Sequence, residues 1–111
     1  MFDVLVTDIK QVVENNLLHV DPLVVKKIPA KEKKKYIITC MMIHYFDQHR
    51  IYKEKEINDI LKPMVDDYVM FRRNLIDYGF IERKDDGSAY WLVADKNAYQ
   101  IYDLRKQEAI F

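Results

Sequence analysis

The chain has 111 residues, half of them hydrophobic and 32% charged, with 18 Lys plus Arg against 18 Asp plus Glu. That balance excludes a disordered chain, and the length suits one domain able to bury its own core. A formal net charge of zero argues against a dedicated nucleic-acid binder, which carries a strong basic excess.

The single cysteine, Cys40, permits no internal disulfide and fits a reducing compartment. Asp3, Asp8 and Lys10 interrupt the N-terminal apolar residues, so no signal-peptide pattern is read there. The apolar run from Ile37 to Ile43 is too short to span a bilayer. The expectation is a cytoplasmic protein without a membrane partner.

In chain order, Phe2, Leu5, Ile9, Val12, Val13 and Leu17 recur at helical spacing, which predicts an amphipathic helix over Phe2 to Leu18. Pro22 and Pro29 bracket a β-branched piece, Leu23 to Ile28, expected as a strand or extended arm. A second helix is expected after Pro29. Its first turns are basic (Lys31, Lys33, Lys34, Lys35), Tyr36 to Phe46 is apolar nearly all round, and His49 and Arg50 end it. A solvated helix end explains the basic run best, and an anion or nucleic-acid contact is the alternative.

Ile51-Tyr52 reads as a short extended link. Glu54 to Leu61 reads as a helix with Ile57, Ile60 and Leu61 inward, stopped by Pro63. Asp66 or Asp67 then caps a helix running to about Tyr78, with Gly79 at the C′ position, where φ is positive. Phe80 to Arg83 and Ala89 to Leu92 are strand-like. Asp86-Gly87 between them predicts a hairpin with Arg83 opposite Tyr90 and Ile81 opposite Leu92. A last helix over Asp95 to Phe111 would use Tyr99, Tyr102, Ile110 and Phe111.

The expected class is α+β. Helix, short strand, helix, helix and hairpin wing form a winged helix-turn-helix over 28–93. An N-terminal helix and arm (1–27) and a helical C-terminal segment (94–111) flank it.

Three ordered blocks carry a resemblance. Tyr52-Lys53-Glu54-Lys55-Glu56-Ile57-Asn58-Asp59-Ile60-Leu61 resembles Y-x-E-x-E-[VI]-N-x-[IL]-L. Asp66-Asp67 with Phe71-Arg72-Arg73-Asn74-Leu75-Ile76-Asp77-Tyr78-Gly79 resembles D-D-x-x-x-[LF]-R-R-x-L-[VI]-D-x-G, and Asp86-Gly87-Ser88-Ala89-Tyr90-Trp91 resembles D-G-S-x-Y-W. These are similar to blocks of an uncharacterised bacterial family, a domain of unknown function found alone or attached to transcription regulators. The resemblance spans about residues 28 to 92 and implies a regulatory setting. It assigns no substrate, cofactor or catalytic residue. Lys53 departs from the pattern, where Thr or Ser would cap the helix.

On a helical wheel, Tyr68, Phe71, Leu75 and Tyr78 share the inward face of the helix after Asp67. Asp66, Met70, Arg73 and Asp77 share the outward one. The candidate DNA or partner contacts are Met70, Arg73 and Asn74 on this helix, with Arg83 and Lys84 on the wing. Arg72, on the flank, is expected to pair with an acid of the preceding helix, Glu56 or Asp59. Asp66, Asp67, Asp85 and Asp86 stand where DNA phosphates would approach, so direct DNA contact is left open.

No catalytic, cofactor-binding or metal site is read. Cys40 and His44 share a helix face, but two ligands make no metal site, and a Cys–His nucleophile would lack an orienting acid and an oxyanion donor. Glu54 and Glu56 point differently and make a poor acid/base pair. Two glycines cannot build a phosphate-cradling loop. Tyr90 and Trp91 are expected in the core rather than as a base-stacking surface. The leading expectation is a non-enzymatic winged-helix protein in transcription-related regulation. The alternative is a module for protein contacts, with the apolar faces of both terminal segments buried in a homodimer.

Overall fold

Local chemistry sets where each helix begins and ends in the computed structural model, which describes residues 1–106. Helix α1 (Val6–Asn16) starts where the Asp8 carboxylate accepts the Leu5 N–H at 2.8 Å. It is shorter than its apolar spacing predicts. Leu17 leaves the helix and opens strand β1 (Leu17–His19), which pairs antiparallel with β2 (Val24–Val25). This small sheet lies within and beside the arm that the prolines delimit.

Helix α2 (Glu32–Met42) is buried on every side from Tyr36 onward. It gives way to a tighter 3₁₀ turn over Ile43–Tyr45 instead of continuing to His49 and Arg50. Those two residues are exposed and do not end a helix. Strand β3 (Ile51–Tyr52) follows, then α3 (Glu54–Leu61), where Glu56 accepts the Lys53 N–H at 2.9 Å. This contact supplies a helix start despite Lys53.

Asp67 caps α4 (Tyr68–Asp77) by accepting the Met70 N–H at 3.2 Å. Gly79, at φ +76°, closes it: its N–H reaches the Ile76 carbonyl at 2.9 Å and the Phe80 N–H reaches Leu75 at 3.0 Å. That reciprocal pair requires the left-handed conformation that glycine adopts without strain.

Strands β4 (Ile81–Arg83) and β5 (Tyr90–Leu92) pair in the expected register, Ile81 with Leu92 and Arg83 with Tyr90. Their connection is longer than a two-residue turn: Lys84 and Ala89 still bond at 3.0 Å, leaving Asp85 to Ser88 as the loop. Strand β3 adds to the free side of β5, so the sheet order is β3–β5–β4. Tyr52, Ile81, Tyr90 and Leu92 face the core, and Ile51, Glu82 and Trp91 face outward.

The core gathers α1, α2, α3, α4 and the inner sheet face around Ile37, Phe46, Ile57, Leu61, Phe71 and Leu75. The C-terminal segment is two runs of 3₁₀ turns, Lys96–Tyr102 and Leu104–Lys106, rather than an α-helix. Ile110 and Phe111 lie outside the described residues. Ile9, Val12, Tyr102 and Leu104 are buried against the chain's own core, with Phe2 and Tyr99 packed beside them. The result is a mixed α+β architecture. No helix among the described residues is long and apolar enough to cross a membrane.

Candidate functional site

Helix α4 and the β4–β5 hairpin enclose a groove of about 440 Å³ lined by Arg72, Arg73, Arg83, Glu54, Asp77 and Tyr90, among others. Arg83 reaches it because the pleat places it on the same side of the sheet as Ile81. Arg72 is occupied: its Nη1 lies 3.0 Å from Glu54 Oε1 and donates to Asn58 Oδ1 at 2.7 Å. The predicted tie to α3 forms, but to Glu54 rather than Glu56 or Asp59. Glu56 is engaged by Arg50 and the Lys53 N–H, and Asp59 pairs with Lys55 at 2.9 Å.

Arg73 and Arg83 have no ion pair among the described residues, and both line the groove. Lys84 is exposed at the base of the hairpin loop. Asn74 is half-buried, and its Nδ2 is buried without a hydrogen-bond partner. Met70 is a correction: it is half-buried and packs against the core, while Val69 is the apolar residue that reaches the groove. The inward face holds at Phe71 and Leu75, with Tyr68 and Tyr78 only partly covered.

The acids nearby divide by local role. Asp67 is a helix cap. Asp86 accepts the Ser88 N–H at 2.9 Å, and its hydrogen bonds with Ser88 hold its carboxyl below the ordinary range. Asp66, Asp77 and Asp85 are exposed. Among the described residues, the face therefore presents the guanidinium groups of Arg73 and Arg83 and the carboxylates of Asp66, Asp77 and Asp85 without ion pairs.

A second polar cluster was not legible beforehand. His44 and Asp103 are each only 4% exposed. His44 Nε2 lies 2.8 Å from the Tyr99 carbonyl, and Nδ1 lies 3.8 Å from Asp103 Oδ2. With Nε2 carrying the proton, the ring donates to Tyr99. Arg105 donates to both Asp103 oxygens, at 2.9 and 3.2 Å, and to the His44 carbonyl at 3.0 Å. Its guanidinium also stacks 5.0 Å from the centre of the Tyr45 ring.

An acid therefore does stand beside His44, contrary to expectation. Burial lowers the His44 pKa, outweighing the Tyr99 bond and the charge of Asp103, which raise it. Cys40 is fully buried, and burial pushes its thiol up to about 12, against a smaller opposing hydrogen bond with Tyr36. Burial thus favours the protonated thiol over the thiolate. Among the described residues, no three His, Cys, Asp or Glu side chains are grouped to hold a metal ion. Tyr90 is buried as expected, whereas Trp91 is half-buried on the outer sheet face.

No curated protein and no solved structure matches the chain. A family model described as an uncharacterized protein conserved in bacteria, DUF2087, matches residues 24–92. That stretch contains β2 through β5 and every residue of the α4–hairpin groove, and the chain belongs to this family.

Proposed function

We propose that the chain is a non-enzymatic winged-helix protein in transcription-related regulation, with duplex DNA as the partner of the α4–hairpin face. In this reading α3 and α4 form the helix-turn-helix, the β4–β5 hairpin is the wing and β3 is the short strand that completes its sheet. The observation carrying the reading is the pair Arg73 and Arg83, which approach one groove from two elements without ion-pair partners among the described residues. The resemblance to domains attached to transcription regulators supports the same setting.

Asp66, Asp77 and Asp85 oppose phosphates, so binding should be weak and steeply salt-dependent. Anisotropy of a labelled duplex at low salt should give a Kd of about 10 μM, and Arg73→Ala should weaken it by about threefold or more. Absence of binding at tens of micromolar retires the DNA reading, and tight salt-insensitive binding overturns the electrostatic account.

A second reading, protein contact including a homodimer, is favoured by the outer sheet face. Ile51 is 70% exposed there, beside Trp91 at a shallow cleft that also includes Leu92, with Val93 exposed next in the chain. Ile9, Val12, Tyr102 and Leu104 of the terminal segments are buried in the chain's own core, while Leu5 and Ile101 stay exposed, so this reading places a second copy on the outer sheet face. Sedimentation equilibrium at micromolar concentration should then give twice the chain mass, and a monomer mass across the range removes the homodimer.

A further inference from the structure

The exposed side chains of α4 are Val69, Arg73 and Asp77, one stripe along the helix. Val69 has no polar group, and the Asp77 carboxylate repels phosphates. Arg73 is therefore the only side-chain donor on this stripe. The neighbouring polar groups of α4 are committed or covered. Arg72 is held by Glu54 and Asn58, at 3.0 and 2.7 Å. The Asn74 Nδ2, which would have to donate to an adenine edge, is buried. Base edges are read by bidentate side chains on a helix that enters the major groove with its first turn. The start of α4 instead carries Asp66 and the capping Asp67, both exposed.

The second free guanidinium is not at the hairpin tip. Arg83 belongs to β4 and lines the groove together with Arg73, so the two reach it from the sheet and from the helix. The tip itself carries Asp85 and Asp86, both exposed, which Lys84 offsets only in part. A duplex spanning α4 and the tip would meet carboxylates at both ends. The groove, at about 440 Å³, has room for a short piece of chain and not for the width of a duplex. Guanidinium forks match the paired oxygens of a phosphodiester. Val69 and Ile76 on the α4 wall give the attached sugar an apolar surface.

We propose that the α4–hairpin groove grips the sugar–phosphate backbone of one DNA strand, with Arg73 and Arg83 on its phosphates and no base read. This specificity rests on the DNA reading of the same face. A single strand is then as good a partner as a duplex, and the base sequence matters little.

The test is fluorescence anisotropy of the full chain with labelled duplexes of two unrelated sequences and with a single strand of equal length, between about 50 and about 200 mM salt. Duplex and single strand should bind within about threefold of one another, and the two sequences within the same margin. Log affinity against log salt should fall with a slope of about −2, the value for two neutralised phosphates. Arg73→Ala and Arg83→Ala, both at exposed side chains, should each weaken every oligonucleotide alike, by about threefold or more, and bring the slope to about −1. Absence of binding by either form overturns the DNA reading itself. Binding with a wider gap between duplex and single strand overturns the one-strand grip and leaves the DNA reading standing. The same holds for a wider sequence preference, or for a slope steeper than about −3. Unchanged affinity and slope in both arginine variants would place the strand elsewhere and overturn the grip as well.

Discussion

Phe71→Ala is expected to lower folding stability by about 3–5 kcal/mol, the range for deleting a fully enclosed aromatic ring. Phe71 has no solvent exposure and stands one helical turn from Leu75, also fully buried, on the inner face of α4. That face packs against α2 and α3. The cavity would open at the junction of three helices, where none can shift inward without disturbing another. A domain of this size has about 5–15 kcal/mol in total, so the variant should approach half-unfolding well below the parent's urea midpoint with an unchanged slope. Arg73→Ala, two residues along on the exposed face, should change stability by only about 0.5 kcal/mol or less. A loss below about 1.5 kcal/mol for Phe71→Ala would mean that α4 does not present this face to the core.

The contrast between Phe71 and Arg73 is legible in the sequence because it depends only on the 3.6-residue period. The hairpin register is legible for a similar reason: alternation and the Asp-Gly pair together locate the centre of the turn. Other features depend on partners distant in the chain. Leu17 continues the apolar spacing of α1, yet pairing with Val25 draws it into a strand. Tyr99 and Tyr102, three residues apart, suit an α-helix or a 3₁₀ turn equally, and their packing on α2 favours the tighter form. The choice of Glu54 for Arg72 was settled only because Arg50 and Lys55 engage the other two acids of α3. The His44–Asp103–Arg105 cluster joins residues about sixty positions apart, with no local pattern to announce it.

That cluster sets the last expected result, a two-stage loss of stability on acidification. His44 is held below its ordinary value of 6.5, mainly by burial and further by Arg105 and Lys96, against the opposing effects of Tyr99 and Asp103. The unfolded chain therefore binds this proton more readily than the folded one. The His44 contribution is complete above pH 6.5 and is lost as the pH falls through its lower folded value. Asp103 behaves alike in a more acidic window. Burial raises its pKa, but Arg105 and His44 outweigh burial and leave it below 3.8, so its contribution is present above that pH and lost beneath it. His44→Gln keeps a donor for the Tyr99 carbonyl but cannot titrate, and should remove the upper stage while leaving the lower. Asp103→Ala should be harsher, costing about 2–3 kcal/mol at neutral pH. It strands the Arg105 guanidinium, though that side chain keeps 36% of its surface in water, which moderates the penalty. Urea midpoints measured from pH 8 to pH 3 separate the cases. A parent profile flat from pH 7 to 5, or a His44→Gln profile that follows the parent, would show that the imidazole does not control the docking of the C-terminal segment onto α2.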